Sequence, residues 1–376
     1  MKPHYPILDG LRGVAALLVV AFHVCEANST SHLDLMINHG YLAVDFFFLL
    51  SGFVVGYAYD DRWGKLTLKG FFTRRLIRLQ PMVIMGAVIG AIFFYYQKSA
   101  YWPIISEVPV WKMLSIMFLG FLMIPITPSM DIRGWNETYP LNGPAWSLFF
   151  EYLANIMYGL GFRKLGKTAL TALVVVSAAA LIYLTVAGPT GDVIGGWSLE
   201  PSQFGIGLTR MMFPFFAGLL LCRVGKLTKV NNAFFWCSLL LITVFAIPRI
   251  GDENTLWMNG IYESAAIILV FPLIVYLGAS GNPLGKFSAK VCKFLGDISY
   301  PIYITHYPLI YTYTAWVQDH KIPFREALPT GILVWVSSVV LAYLCLKFYD
   351  EPVRAWLSKK ALVKTQRKEI EQLVES

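Results

Sequence analysis

The 376-residue chain is 56% hydrophobic and 14% charged, with a mean hydropathy of +0.57 and a formal net charge of +8. A soluble domain carries roughly 25% charged residues, so this composition excludes a soluble globular protein and implies a polytopic membrane protein. The basic residues sit in short blocks between apolar runs, the pattern of cytoplasmic loops and not of a nucleic-acid-binding stripe.

In chain order, apolar runs of spanning or near-spanning length fall near 7–25, 41–59, 81–97, 144–162, 169–187, 205–222, 233–248, 262–279, 296–317 and 328–349. The first has the place of a secretory signal, but Val24 is bulky where cleavage needs a small residue, and Asp9 and Arg12 interrupt the apolar region. It reads as a retained spanning helix. A further run, 113–126, has only about 14 residues and suits a re-entrant or interfacial piece. If it does not cross, the blocks Arg62 to Arg78, Arg163 to Lys167, Arg223 to Lys229 and Lys286 to Lys293 share one side with both termini, and most Lys and Arg lie there.

The predicted architecture is therefore an all-α integral membrane protein. It has about ten transmembrane helices, one short re-entrant or interfacial segment, and both termini cytoplasmic. Residues 1–352 form the transmembrane domain, and 353–376 read as a basic cytoplasmic tail. The long outer segment 98–143 has room to fold back as a lid. Cys25, Cys222, Cys237, Cys292 and Cys345 show no paired spacing, which gives neither a metal knuckle nor a disulfide framework.

Ionisable residues inside these runs are few, and each marks a candidate site because charge in hydrocarbon normally faces a protein interior or a wet cavity. Arg12 and His23 lie on one stripe of the first helix, about 16 Å apart along its axis. Asp45, near the outer end of the second run, is predicted at the depth of His23, where a carboxylate would fix the imidazole tautomer. Ser147 and Glu151 share a helical face four residues apart. His306 lies in Tyr300-Pro301-Ile302-Tyr303-Ile304-Thr305-His306, and Arg210 offers a cavity cation. Arg74, Arg75 and Arg78 form the strongest basic cluster, with Arg75 and Arg78 on one face at the cytoplasmic entrance of the third run. Two guanidinium forks there suit a multiply phosphorylated ligand. Each group also has a plainer reading: lipid anchoring for the arginines, helix clamping for the carboxylates, packing for His306.

In order along the chain, these motifs resemble the membrane-bound acyltransferase-3 family, whose members O-acylate surface glycans and other extracytoplasmic acceptors. Leu8-Asp9-Gly10-Leu11-Arg12-Gly13 with His23 carries the opening motif, and Gly40 to Phe53 the second-span signature. Arg75 and Arg78 before Pro81, Trp146-Ser147-Leu148 with Glu151, and Ser299 to His306 complete the pattern. Some relatives append a soluble esterase-like domain; this sequence ends at Ser376, so any such partner would be a separate polypeptide.

The resemblance implies an acyl-coenzyme A donor, usually acetyl-CoA, an extracytoplasmic carbohydrate or glycolipid acceptor, a multi-pass location in the cell (inner) membrane, and no metal. On this reading Arg12, Arg74, Arg75 and Arg78 hold CoA, while His23, Asp45, Ser147, Glu151 and His306 serve transfer, with His23 as general base. The rival class is a secondary transporter using intramembrane His, Asp and Glu as a proton relay. It would show inverted halves with broken helices in matching positions, and no such repeat is visible.

Overall fold

A backbone in hydrocarbon must satisfy its polar groups internally, so the long apolar runs become helices. The computed structural model describes residues 4–29, 31, 35, 37–282 and 284–361. In chain order the helices are α1 (Pro6–Glu26), α2 (Ala43–Tyr59), α3 (Leu68–Tyr96), α4 (Val110–Phe121), α5 (Ala145–Leu160), α6 (Lys167–Ala187), α7 (Pro201–Val224), α8 (Ala233–Ala246), α9 (Trp257–Ala265), α10 (Phe271–Ala279), α11 (Lys286–Thr305), α12 (Tyr307–His320) and α13 (Phe324–Cys345). A π turn over Ala266–Val270 fuses α9 and α10, and α13 runs on through a second π turn to Ala361. Apart from one isolated bridge between Val230 and Gly281, the described residues form no β-structure.

Seven stretches among the described residues are long and apolar enough to cross a membrane: α1, Gly40–Tyr59, α3, α6, α7, Trp257–Ala279 and Phe324–Ala361. The ten runs read from hydropathy map onto these and onto shorter pieces. The run at 144–162 gives the 16-residue α5, and the run at 233–248 gives the 14-residue α8. The apolar stretch at 113–126 is the 12-residue α4. The run at 296–317 is not one span. It breaks at His306 between α11 and α12, where Pro308 supplies no N–H for the Ile304 carbonyl and Asn142 Nδ2 donates to it instead, at 2.9 Å. Of the predicted tail, residues 353–361 continue the last helix and 362–376 lie outside the described residues.

Two close helix crossings set the core. Membrane helices gain from small residues at their contacts, because lipid offers no hydrophobic drive between them. A Cβ at Gly13 of α1 would lie 2.4 Å from the Leu295 carbonyl oxygen of α11, and one at Gly52 of α2 would lie 1.8 Å from the Phe215 oxygen of α7. Both crossings therefore require glycine. The first brings the Arg12 stripe against α11, and the second brings Asp45, seven residues before Gly52 on the same stripe, against α7.

Candidate active site

Three cavities are strung along α1. The largest, about 950 Å³, lies at the N-terminal end of α1 and is lined by Asp9, Arg12, Arg74, Arg78, Lys293 and Arg354, among others. A narrow one of about 110 Å³ continues inward past Arg12, Arg75, Arg78, Ser147, Glu151 and Tyr303. A third, about 230 Å³, sits at the other end of α1 beside Glu26 and Tyr307. Asp9 and Glu26 are about 26 Å apart along the helix axis, so the outer two cavities occupy opposite ends of the bundle.

The arginines do different work. In the large cavity Asp9 faces His4 and Arg12, Asp297 faces Lys293, and Asp350 faces Arg354. Arg74 and Arg78 have no such ion pair among the described residues, and they tip a lining of five Lys/Arg and four Asp/Glu toward positive charge. Arg12 is held rigidly: Nε donates to Ser299 Oγ at 2.7 Å and an Nη to the Gly296 carbonyl at 3.1 Å. Arg75 departs from the expected pair with Arg78. Its Nη2 donates to Glu151 Oε1 at 2.7 Å, and its Nε is buried without a partner.

Glu151 also accepts from Ser51 at 3.0 Å, so the third, second and fifth helices meet at this carboxylate. Ser147 does not bond Glu151. Its hydroxyl donates to the Pro144 carbonyl at 3.0 Å and meets the Tyr303 hydroxyl at 2.7 Å. With the Ser147 proton committed to a carbonyl, Tyr303 donates to Ser147.

Between the narrow cavity and the third one lie two imidazoles. His23 Nδ1 is 2.7 Å from Glu26 Oε2, one turn on in α1, and a carboxylate can only accept, so Nδ1 carries the proton and Nε2 is left as the basic nitrogen. The His306 ring stacks on it, centroids 5.6 Å apart. His306 Nδ1 lies 2.9 Å from the Ile302 carbonyl, which again fixes the proton on Nδ1, while Nε2 is buried with no partner. Two adjacent rings thus share one tautomer. The Tyr307 ring closes over His23 at 4.8 Å.

The predicted pairing of Asp45 with His23 is not formed. Asp45 is fully buried, and Arg210 binds both its oxygens, at 2.7 and 3.3 Å. The crossing of α2 on α7 turns Asp45 toward Arg210, and Glu26 takes the place assigned to it. Sequence reasoning passed over Glu26 because it lies beyond the apolar run, although its i,i+3 spacing from His23 was a usable signal. It also missed Tyr303, and a buried cluster of Arg133, Glu137 and Tyr311 near the third cavity, where Tyr311 donates to Glu137 at 2.6 Å. Glu137 belongs to the loop before α5, and burial pushes its carboxyl up to about 7. No group of three His, Cys, Asp or Glu among the described residues is placed to hold a metal ion.

The chain is 24% identical over 390 aligned positions to "Peptidoglycan O-acetyltransferase OatA" of Listeria monocytogenes, an alignment that covers 94% of this chain and 56% of that protein. It is 31% identical to "Protein 2 in picA locus" of Rhizobium radiobacter over 48% of this chain and 93% of that one. The chain therefore spans little more than half the length of the Listeria relative. No solved structure matches. Residues 5–347, nearly the whole helical body, match the family described as "Acyltransferase domain", and the chain belongs to this acyltransferase-3 family.

Proposed function

We propose that this protein moves an acyl group, acetyl in the first instance, from cytosolic acyl-CoA to a hydroxyl of an extracytoplasmic glycan or glycolipid. The observation that carries the reading is the pair of stacked imidazoles, His23 on Glu26 and His306 on Ile302, set between a cationic cavity at one end of α1 and a smaller cavity at the other. Arg74 and Arg78 bind the CoA phosphates, since they are the cations of the large cavity without a carboxylate partner. Arg12 lies at the junction of the large and narrow cavities, where it guides the pantetheine arm inward. The unpartnered Arg75 Nε is satisfied by a carbonyl of that arm.

His23 Nε2 takes the proton of the acceptor hydroxyl as its oxygen attacks the thioester carbon. The tetrahedral oxyanion collapses, the C–S bond breaks, and the departing thiolate receives the proton from His23, leaving an ester and CoA thiol. Glu26 stabilises the imidazolium in between. His306 Nε2 accepts a hydrogen bond that holds the acceptor hydroxyl beside His23. Tyr303, oriented by Ser147, turns its proton to the thioester oxygen. Glu151 and Asp45 act at one remove, through Arg75 and Arg210.

Two measurements test the reading together: a CoA-induced thermal shift of the purified protein, and mass analysis of surface glycans from cells with and without it. A CoA shift with loss of ester-linked acyl groups in the deletion is expected. No shift and unchanged glycans would return the intramembrane His and Glu residues to the proton-relay alternative.

A further inference from the structure

The third cavity has a construction that the transfer chemistry above does not use. Pockets that enclose a drug-sized ligand run about 300–1,000 Å³, so about 230 Å³ holds a single ring with the remainder of the molecule outside. Its wall joins four aromatic rings, Tyr101, Trp135, Tyr307 and Tyr311, to the carboxylate of Glu26 and the amide of Gln318. Tyr101 and Trp135 are each 38% exposed.

The position of Trp135 is built, not incidental. Asp131 gathers the backbone N–H groups of Arg133, Gly134 and Asn136 at 2.8–2.9 Å, which forces a tight loop with left-handed backbone at Gly134 (φ 96°) and Asn136 (φ 54°). Behind the loop, the buried Arg133 guanidinium lies 3.5 Å from the Tyr311 ring centre and 4.7 Å from that of Trp102. Trp135 packs edge-on to Trp102 at 5.3 Å. Hydrogen bonds and cation–π contacts thus hold a half-exposed indole in place before any ligand arrives.

We infer that this cavity is the acceptor subsite and takes one pyranose unit of the glycan. A sugar ring has an apolar C–H face, which rests on the negative face of an aromatic ring, and a rim of hydroxyls, which need acceptors and donors. Trp135 and Tyr101 supply the platform, and Gln318 and the oxygen of Glu26 not engaged by His23 supply the rim. Gln318 Nε2 already donates to the Ala27 carbonyl at 2.8 Å, which leaves its oxygen for the rim, and an acyl chain would offer neither that oxygen nor the Glu26 oxygen a donor. Because Glu26 also orients His23, a ring held on it brings a neighbouring hydroxyl to the base. This inference rests on the acyl-transfer reading and names the part of the acceptor that is recognised.

The test uses deletion cells carrying wild type, Trp135→Ala, Trp135→Leu or Trp135→Phe. Alkali-released acetate is measured on purified surface glycan and normalised to the membrane level of the protein. The Ala and Leu variants should lose about ten-fold or more of the glycan-bound acetate, and Phe should keep most of it, while CoA affinity of the purified proteins stays within about two-fold of wild type. Tyr101→Ala, at an exposed ring, provides the same reading if Trp135→Ala fails to accumulate. Wild-type acetate in both alanine variants, or rescue by Leu as complete as by Phe, overturns the subsite. A wild type that adds no acetate over the deletion overturns the acyl-transfer reading itself, and the subsite falls with it.

Discussion

Arg75 and Glu151, separated by seventy-six positions in sequence, meet at 2.7 Å across α3 and α5. This contact divides the two arginines that the sequence presents as a pair, since Arg78 has no carboxylate ion pair and lines both the large and the narrow cavity. Arg78→Ala should therefore weaken CoA binding about ten- to hundred-fold, the value of a hydrogen bond to a charged group, with little change in melting. Arg75→Ala should chiefly lower stability, by about 1–3 kcal/mol, because it leaves the Glu151 carboxylate only its Ser51 partner. Melting curves in detergent with and without CoA separate the two. Unchanged melting of Arg75→Ala combined with a selective loss of CoA affinity would refute the division.

The helical class and the motif order were legible in the sequence, because they depend on local spacing and hydropathy. Side-chain partners across helices were not, because they depend on rotation about each helix axis. Asp45 illustrates the difference. Its depth matched His23, yet Gly52 lies on the same stripe and packs on α7, so that stripe carries Asp45 to Arg210. The glycine spacing held this information, and depth alone did not. The break at His306 was hidden for another reason: hydropathy is continuous over 296–317, and only Pro301 and Pro308 mark the discontinuity.

The contact of His23 with Glu26 predicts a graded loss of transfer. Glu26→Gln keeps an acceptor for Nδ1–H but removes the charge that stabilises the imidazolium. Transfer should fall by about ten- to hundred-fold, less than the 10²- to 10⁴-fold expected for His23→Ala. The check is a rate measurement for both variants at saturating acyl-CoA; a wild-type rate in Glu26→Gln would remove Glu26 from the mechanism.

Asp45 and Arg210 are almost wholly buried, at 0% and 2% side-chain exposure. Removing one member of such a pair strands the other and costs about 3–5 kcal/mol, whereas an apolar replacement of both is far milder. Asp45→Asn should accumulate poorly and melt early, and Asp45→Asn/Arg210→Met should recover much of the loss. Should Asp45→Asn melt like wild type while its turnover collapses, Asp45 would belong to the chemistry and not to the clamp.

Glu137 gives a stability prediction whose sign follows from its surroundings. The carboxyl is buried beside Tyr307, Tyr311 and Arg133, and desolvation outweighs the Arg133 charge, so it titrates near 7 in the folded protein against an ordinary 4.5. Between those values the folded state retains a proton that the unfolded chain has released. Stability therefore falls as pH rises from 4.5 to 7, and the contribution is flat below and above that window. Glu137→Gln keeps an acceptor for Tyr311 and abolishes the titration. The melting difference between wild type and Glu137→Gln should thus move in favour of the variant across this window. The measurement is a melting series in detergent from pH 4 to 8. Parallel curves for the two proteins would show that Arg133 holds Glu137 ionised throughout, and that the cluster is a buried ion pair without a proton to release.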